Sequence, residues 1–210
     1  MKNNLFIAFE GIDGSGKSTQ VKLLAQKLTE AGHKVYITFE PTDSYIGTII
    51  RQIMKGEIKA DNKTIAGLFV ADRLNHLLND TNGIVKKIND GYTVITDRYY
   101  FSSYAYHSVH MDMEWVIQAN AMSAEILRPD VNIYIDISAE ISMKRLHKNR
   151  ETIELYENLD NLRAVREKYL HAFEKLAQEE NIFTVNGNRA LENIADDIWK
   201  HISQYSDGKI

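Results

Sequence analysis

The sequence contains no cysteine and only two prolines, Pro41 and Pro129, among its 210 residues. The absence of cysteine excludes disulfide bonds, thiolate zinc sites and thiol catalysis. The scarcity of proline excludes a proline-rich linker. Long apolar runs are also missing, since the first run, residues 5–9, is too short for a signal-peptide core or a membrane span. We therefore expect a soluble protein of the cytoplasm with no membrane partner.

Charge of one sign is not in large excess. Lys and Arg number 25 against 29 Asp and Glu, which gives a formal net charge of −4 at pH 7. Proteins that bind nucleic acid polymers or anionic membranes need a basic face, so we expect neither partner. A net charge does not exclude small anionic substrates, because it hides where the cations lie. The length and a hydrophobic content of 44% predict one globular domain over residues 1–210.

Short apolar runs alternate with longer stretches whose apolar residues recur at helical spacing. The short runs predict strands at residues 5–9, 35–39, 92–96, 131–137 and 182–185. The longer stretches predict helices at about residues 21–28, 46–54, 65–78, 102–127 with a break near 111, 139–149, 158–180 and 194–202. Strands separated by helices are typical of an α/β fold with a parallel sheet, here of about five strands. Ligands of such sheets bind at the carboxyl ends of the strands.

A glycine-rich segment follows the first predicted strand. Residues 11–18, GIDGSGKS, fit the pattern G-x-x-x-x-G-K-[ST], in which backbone N–H groups surround phosphate oxygens. Lys17 supplies a charge to the β- and γ-phosphates, and Ser18 offers a hydroxyl to Mg²⁺. A glycine-rich turn with an incidental Lys-Ser is the alternative, but four fixed positions between a strand and a helix disfavour it. The residues predicted to bind the nucleoside triphosphate, which the family resemblance given below implies to be ATP, are Gly11, Ile12, Asp13, Gly14, Ser15, Gly16, Lys17, Ser18 and Thr19.

This phosphate-binding loop predicts a three-layer α/β/α P-loop fold, but it does not choose among GTPases, motors, transporter ATPases and small-molecule kinases. The chain is short for a motor or a transporter module. A GTPase needs a guanine-reading N-K-x-D after a late strand, and the segment at residues 184–188, TVNGN, lacks it. A metabolite kinase is therefore the favoured class.

An acidic and a basic residue, Asp97 and Arg98, follow the third predicted strand. A carboxylate at a strand end near a P-loop is placed to hold Mg²⁺, and the adjacent guanidinium can clamp a phosphate. We expect Ser18 and Asp97 to form the metal side. Asp136, within the fourth strand, is the competing carboxylate, and a structural role is its alternative.

The motifs taken together resemble the thymidylate kinase family over nearly the whole chain. They are FEGIDGSGKSTQ at residues 9–20, EPT at 40–42, LFVADR at 68–73, DRY at 97–99, SSYAY at 102–106 and RPD at 128–130. The resemblance implies transfer of a phosphoryl group from MgATP to dTMP, giving dTDP and ADP for dTTP synthesis. It also implies a homodimer. Another deoxynucleoside or deoxynucleotide kinase and a non-catalytic P-loop regulator are the rival readings.

The resemblance also assigns roles to individual residues. Phe69 would stack on thymine, Arg73 would bind a base carbonyl, and Tyr106 would crowd the sugar and disfavour a ribose 2′-OH. A cis bond is expected between Glu40 and Pro41. The implied substrate-binding residues are Asp13, Glu40, Pro41, Arg51, Phe69, Arg73, Arg98, Ser102, Ser103 and Tyr106, and the implied catalytic residues are Lys17, Arg98, Arg150 and Asp13.

A basic stretch after the fourth strand resembles the family's lid, at about residues 143–158. Arg150 aligns with the lid arginine and Arg145 would lie nearer ATP, although a solvated helix face is the alternative for this stretch. We expect the scattered cations Lys17, Arg51, Arg73, Arg98 and Arg150 to meet at one rim. His107 and His110, three apart, read as polar helix surface rather than as metal ligands, because no partners stand at ligand spacing.

Overall fold

The computed structural model describes residues 4–149 and 155–206. Within those ranges it has a sheet of five strands: β1 (Phe6–Glu10), β2 (Val35–Phe39), β3 (Thr93–Asp97), β4 (Val131–Asp136) and β5 (Ile182–Asn186). The strands lie in the order β2-β3-β1-β4-β5, and every neighbouring pair is parallel. The predicted α/β fold with a central parallel sheet is therefore confirmed.

Helices connect the strands. They are α1 (Lys17–Glu30), α2 (Tyr45–Met54), α3 (Asn62–Leu78), α4 (Ile84–Asn89), α5 (Tyr100–His107), α6 (Met113–Ile126), α7 (Ala139–Asn149), α8 (Leu159–Lys175) and α9 (Leu191–Ser206). The break predicted near residue 111 separates α5 from α6. The sequence pattern does not predict α4, because six residues are too few to show a helical period.

Both faces of the sheet are covered, which produces three layers. Along β1, Phe6 and Ala8 belong to one buried cluster with α5, α6 and α8, while Ile7 and Phe9 belong to another with α1 and α9. A strand buried on both faces reads as a continuous apolar run, as β1 does. Of the helices in the described ranges, none is long and apolar enough to cross a bilayer.

The register of the sheet places the loops that carry the sequence motifs side by side. Phe9 at the end of β1 pairs with Asp97 at the end of β3, and Glu10 pairs with Tyr134 of β4. The segments that follow β1 and β3 therefore emerge next to each other at the carboxyl edge, where ligands of parallel sheets bind.

Candidate active site

The loop between β1 and α1 is built on backbone conformations that favour glycine. Gly11 has a φ of 142° and Gly14 a φ of 73°. A Cβ on Gly11 would lie 2.7 Å from the carbonyl oxygen of Ile135, and one on Gly14 would lie 3.0 Å from that of Ser142. The loop therefore packs against β4 and α7 so closely that a side chain at either position would force a shift.

Lys17 begins α1 with its side chain buried inside this loop. Its Nζ donates to the carbonyl oxygens of Gly11, at 2.9 Å, and Ile12, at 3.1 Å. Burial, followed by repulsion from Arg98, lowers the pKa of Lys17 to about 8. The ammonium is thus held at the phosphate-binding loop by two neutral carbonyl oxygens.

Ser18 and Asp97 meet at the carboxyl edge of the sheet. The Ser18 hydroxyl donates to the Asp97 carboxylate at 2.5 Å. Asp136, the competing carboxylate, is instead bound by the guanidinium of Arg166 at 2.7 and 2.8 Å. The geometry therefore places Asp97 with the P-loop serine and leaves Asp136 in a structural ion pair with α8.

Arg98 has the only positive φ, 78°, found at a non-glycine residue in the described ranges. Its backbone is held by its N–H donating to Phe9 and by its carbonyl oxygen accepting from Thr96. A left-handed conformation is costly for an arginine and is often found at functional sites. Here it turns the side chain from the end of β3 toward the P-loop.

The Arg98 guanidinium forms a polar triangle with Asp13 and Tyr106. It donates to Asp13 at 2.5 Å and to the Tyr106 hydroxyl at 3.3 Å, and that hydroxyl donates to the second Asp13 oxygen at 2.7 Å. Burial alone would lower the pKa of Arg98, but Tyr106 and Asp13 outweigh it and hold the pKa well above its ordinary value. Arg98 is therefore a permanent cation between the P-loop and α5.

Two cavities open on either side of this triangle, and Asp13 and Arg98 line both. The open cleft is lined on the P-loop side by Gly14, Gly16, Lys17, Ser18, Thr19, Asp97 and Arg145. The second cavity is narrower and less open, and we call it the enclosed cavity; its walls include Pro41, Phe69, Ser102, Ser103 and Tyr106. These wall residues are far apart in the sequence, and the family resemblance implied that they bind the substrate. The fold brings them together around one cavity.

Arg73 does not line either of these cavities. It is buried, and its five N–H donors are matched by five bonds, to Glu40 twice and to Ser103, Asn120 and the Tyr99 carbonyl. The pKa of Arg73 is raised because Glu40 outweighs the effect of burial. A direct bond from Arg73 to a ligand would therefore replace an existing bond.

Arg51 also stands apart from the two cavities. Its Nη1 donates to the carbonyl oxygens of Pro41, at 2.9 Å, and Thr42, at 2.5 Å. The peptide bond between Glu40 and Pro41 is cis, as the resemblance implied. Lys17 and Arg98 line the open cleft together, whereas Arg51 and Arg73 line neither cavity and instead bind residues of the enclosed cavity's walls, Pro41 and Ser103.

His107, interpreted from the sequence as polar surface, is buried, so that interpretation is wrong. It lines the enclosed cavity, and its ring lies 5.2 Å from that of Phe69. Burial, then repulsion from Arg73 and His110, lowers the pKa of His107 to about 3, so the imidazole is neutral. Its Nδ1 is buried without a hydrogen-bond partner among the described residues.

Tyr156 and Glu157 also line the enclosed cavity. The sequence did not predict them as site residues, because they lie in the charged stretch that was assigned to the lid. The Tyr156 hydroxyl donates to Asn62 at 3.1 Å, and its ring stacks on His110. The backbone N–H of Leu155 donates to the carbonyl oxygen of Met54. The chain after residue 154 therefore closes the enclosed cavity against α2 and α3.

Arg145 of α7 lies beside the P-loop, as the sequence suggested. Its guanidinium donates to the carbonyl oxygens of Gly14 and Ser15 at 3.3 Å and of Gly187 at 2.9 Å. Arg150, the favoured lid arginine, lies outside the described residues. Its role stays a prediction.

Comparison with known proteins gives one consistent result. Residues 9–198 match the family model described as thymidylate kinase. A probable thymidylate kinase of Caldivirga maquilingensis is 39% identical over 98% of this chain and 96% of its own length. Proteins of the same printed name from Methanocaldococcus jannaschii, at 37% identity, and Pyrococcus horikoshii, at 38%, cover 94% and 92% of this chain and 95% and 93% of their own lengths.

Proposed function

The chain belongs to the thymidylate kinase family and is an ATP-dependent kinase that phosphorylates dTMP to dTDP, and we propose that ATP binds in the open cleft and dTMP in the enclosed cavity. The observation that carries this arrangement is that Asp13 and Arg98 line both cavities. Phosphoryl transfer needs the two reacting phosphates to meet in line. Their meeting point would be the junction that these two residues mark.

On the ATP side, the glycine-rich loop offers its backbone N–H groups and the amino end of α1 to the phosphates. Lys17 exchanges its two carbonyl partners for phosphate oxygens. Arg145 lies at the other wall of the cleft, where its charge approaches the nucleotide. These groups bind the anion and cost little reorganisation, because the fold already holds them in place.

The residues at the phosphate edge also fit Mg²⁺. Mg²⁺ prefers oxygen ligands and is usually held by one or two protein groups together with substrate phosphates. Ser18 and Asp97 supply a hydroxyl and a carboxylate oxygen that already touch. When bound, the ion would neutralise charge on the phosphates of ATP, and Ser18 and Asp97 would hold it.

On the dTMP side, Phe69 supplies an aromatic face for the base, and Ser103 and the neutral His107 stand beside it. Tyr106 and Asp13 face the sugar. Arg98 holds the monophosphate, with Ser102 at its side. Glu40 acts through Arg73, which it fixes beside Ser103, and Arg51 supports the Pro41 segment.

The chemistry needs no general base. The phosphate of dTMP is ionised at neutral pH, so its oxygen attacks the γ-phosphorus directly. The bond from that phosphorus to the bridging oxygen breaks, and its electron pair leaves with ADP. Positioning by Arg98 and charge from Lys17 then supply most of the acceleration. A lid at about residues 143–158, with Arg150, would complete the charge and exclude water.

The homodimer in this proposal rests on the family resemblance, whereas the cytoplasmic location and the single domain over residues 1–210 are proposed from the sequence itself.

The test is a coupled assay of ADP release with MgATP and dTMP, dUMP, dCMP, AMP or thymidine as acceptor. We expect dTMP to be the best acceptor and thymidine to be inert. A Lys17→Met variant is the control for contaminating kinases. Phosphorylation of thymidine but not of dTMP would point to a nucleoside kinase, and no turnover with any acceptor would point to a regulator.

A further inference from the structure

Glu10, the last residue of β1, has no part in the reaction as described, yet its carboxylate is fully buried next to the site. One of its oxygens accepts the backbone N–H groups of Tyr99, at 2.9 Å, and Ser102, at 3.3 Å. Tyr99 is the residue that caps α5, and its own side chain does not cap the helix. Glu10 therefore supplies the missing cap from a distant strand, which fixes where α5 begins.

The second oxygen of Glu10 connects to side chains. It accepts from the Ser102 hydroxyl at 2.6 Å and from the Tyr169 hydroxyl at 2.9 Å. The Ser102 oxygen in turn accepts from Nη1 of Arg98 at 2.9 Å. Arg98 is thus tied on one side to Asp13 and on the other, through Ser102, to a carboxylate and a phenol deep in the protein.

Tyr169 comes from α8, far along the chain, and is completely buried. Its hydroxyl lies 2.9 Å from both the Glu10 carboxylate and the Ser102 hydroxyl. The Ser102 hydroxyl donates its proton to Glu10, and its oxygen contacts both Arg98 and the Tyr169 hydroxyl. Tyr169 therefore adds a further contact at the Ser102 oxygen, and removing the phenol loosens the hydroxyl that accepts from Arg98.

We propose that Glu10 and Tyr169 are positioning residues that act through Ser102 to hold Arg98 in the orientation needed for the phosphate of dTMP. The proposal rests on the proposed function, in which Arg98 binds that phosphate. A purely structural role is the alternative, since a buried tyrosine bonded to a buried carboxylate also stabilises a core. Tyr100 provides the comparison, because its hydroxyl donates to Glu180 at 2.7 Å and neither residue lines the two cavities.

The experiment compares Tyr169→Phe with Tyr100→Phe, each of which deletes one buried hydroxyl bonded to a glutamate. Both variants should lose similar thermal stability. Only Tyr169→Phe should raise the KM for dTMP, by about tenfold, the size expected for one lost buried hydrogen bond. The KM for ATP should stay the same in both. Equal effects of the two variants on the KM for dTMP, or no effect of Tyr169→Phe, would overturn the proposal.

A double variant separates the proposal from the function on which it rests. If Tyr169 acts through Arg98, Tyr169→Phe should have no further effect on the KM for dTMP in an Arg98→Lys background. A full additional effect there would show that Tyr169 acts elsewhere. If Arg98→Lys alone leaves the KM for dTMP unchanged, the assigned role of Arg98 is wrong. Ser102→Ala, which breaks the same connection with a smaller side chain, should reproduce the Tyr169→Phe phenotype.

Discussion

The hydroxyl of Ser18 and the carboxylate of Asp97 lie 2.5 Å apart although 79 residues separate them in the chain. The contact exists because β1 and β3 are parallel neighbours, so the residues that follow them meet at one edge. Hydroxyl and carboxylate oxygens are the kind of ligand that Mg²⁺ prefers, which is why we propose that these two residues hold the ion.

Replacing Asp97 by Asn should weaken Mg²⁺ without moving the backbone. The amide keeps the size of the side chain and loses its charge, so we expect the Mg²⁺ concentration for half-maximal rate to rise by about 10–100-fold. The measurement is the rate as a function of free Mg²⁺ at saturating dTMP. Asp136→Asn is the matched control, because Asp136 is bound to Arg166 and should leave the Mg²⁺ dependence unchanged.

The binding of ATP should depend on pH through Lys17. In the free protein the pKa of Lys17 is about 8, so the ammonium form dominates below that pH and is lost above it. A nearby anion favours the charged form of a lysine and raises its pKa, so ATP binding above pH 8 should take up a proton. The affinity should then fall by about tenfold per pH unit.

Calorimetric titration with ATP in two buffers of different ionisation enthalpy measures this proton uptake directly. Uptake should grow from near zero at pH 7 and should vanish in Lys17→Met. Proton uptake that persists in Lys17→Met would mean that another group titrates.

The free energy of unfolding should depend on pH through the protonation of His107. Its pKa falls from an ordinary 6.5 to about 3 on folding, so the unfolded chain binds more protons between those values. The contribution of His107 to the free energy of unfolding is therefore fully present above pH 6.5, and it decreases as the pH falls toward 3. Relative to His107→Gln, the wild type should lose about 1.4 kcal/mol of unfolding free energy per pH unit in that window.

Urea denaturation of both proteins at pH 7, 6 and 5 tests this expectation. His110→Gln is the control, because His110 is exposed at the surface and its pKa is lowered only by partial burial. If the free energies of unfolding of the wild type and of His107→Gln changed with pH by the same amount, the His107 imidazole would not be buried and neutral.

Two kinds of feature could be predicted from the sequence: contiguous motifs, and residues that must meet because they lie at the carboxyl ends of neighbouring parallel strands. The P-loop is a contiguous motif, and Asp97 could be paired with Ser18 because both follow strands of one parallel sheet. His107 was misread because surface helices usually have a polar face, whereas every residue of α5 from Tyr100 to His107 is buried.

Other features depend on packing between distant elements, which no local pattern records. The five bonds of Arg73 and the connection from Tyr169 to Arg98 each join residues from separate helices and strands. An arginine or a tyrosine in a helical stretch looks the same whether it faces a ligand or other protein groups. Only the tertiary contacts separate those two cases.

The discrimination between deoxyribose and ribose should depend on the ring of Tyr106 rather than on its hydroxyl. The ring occupies the wall of the enclosed cavity, while the hydroxyl bonds to Asp13 and Arg98. We therefore compare Tyr106→Phe, which keeps the ring, with Tyr106→Leu, which removes it. The preference in kcat/KM for dTMP over its ribose counterpart should fall by about 10–100-fold in Tyr106→Leu.

In Tyr106→Phe that preference should stay as in the wild type, although kcat/KM for both substrates should fall together. The reason is that the lost hydroxyl donates to Asp13 at 2.7 Å and helps to hold the carboxylate that pairs with Arg98. Steady-state kinetics with both monophosphates at saturating MgATP provides the measurement. Equal loss of discrimination in the two variants would assign sugar selection to the polar triangle instead of to the bulk of the ring.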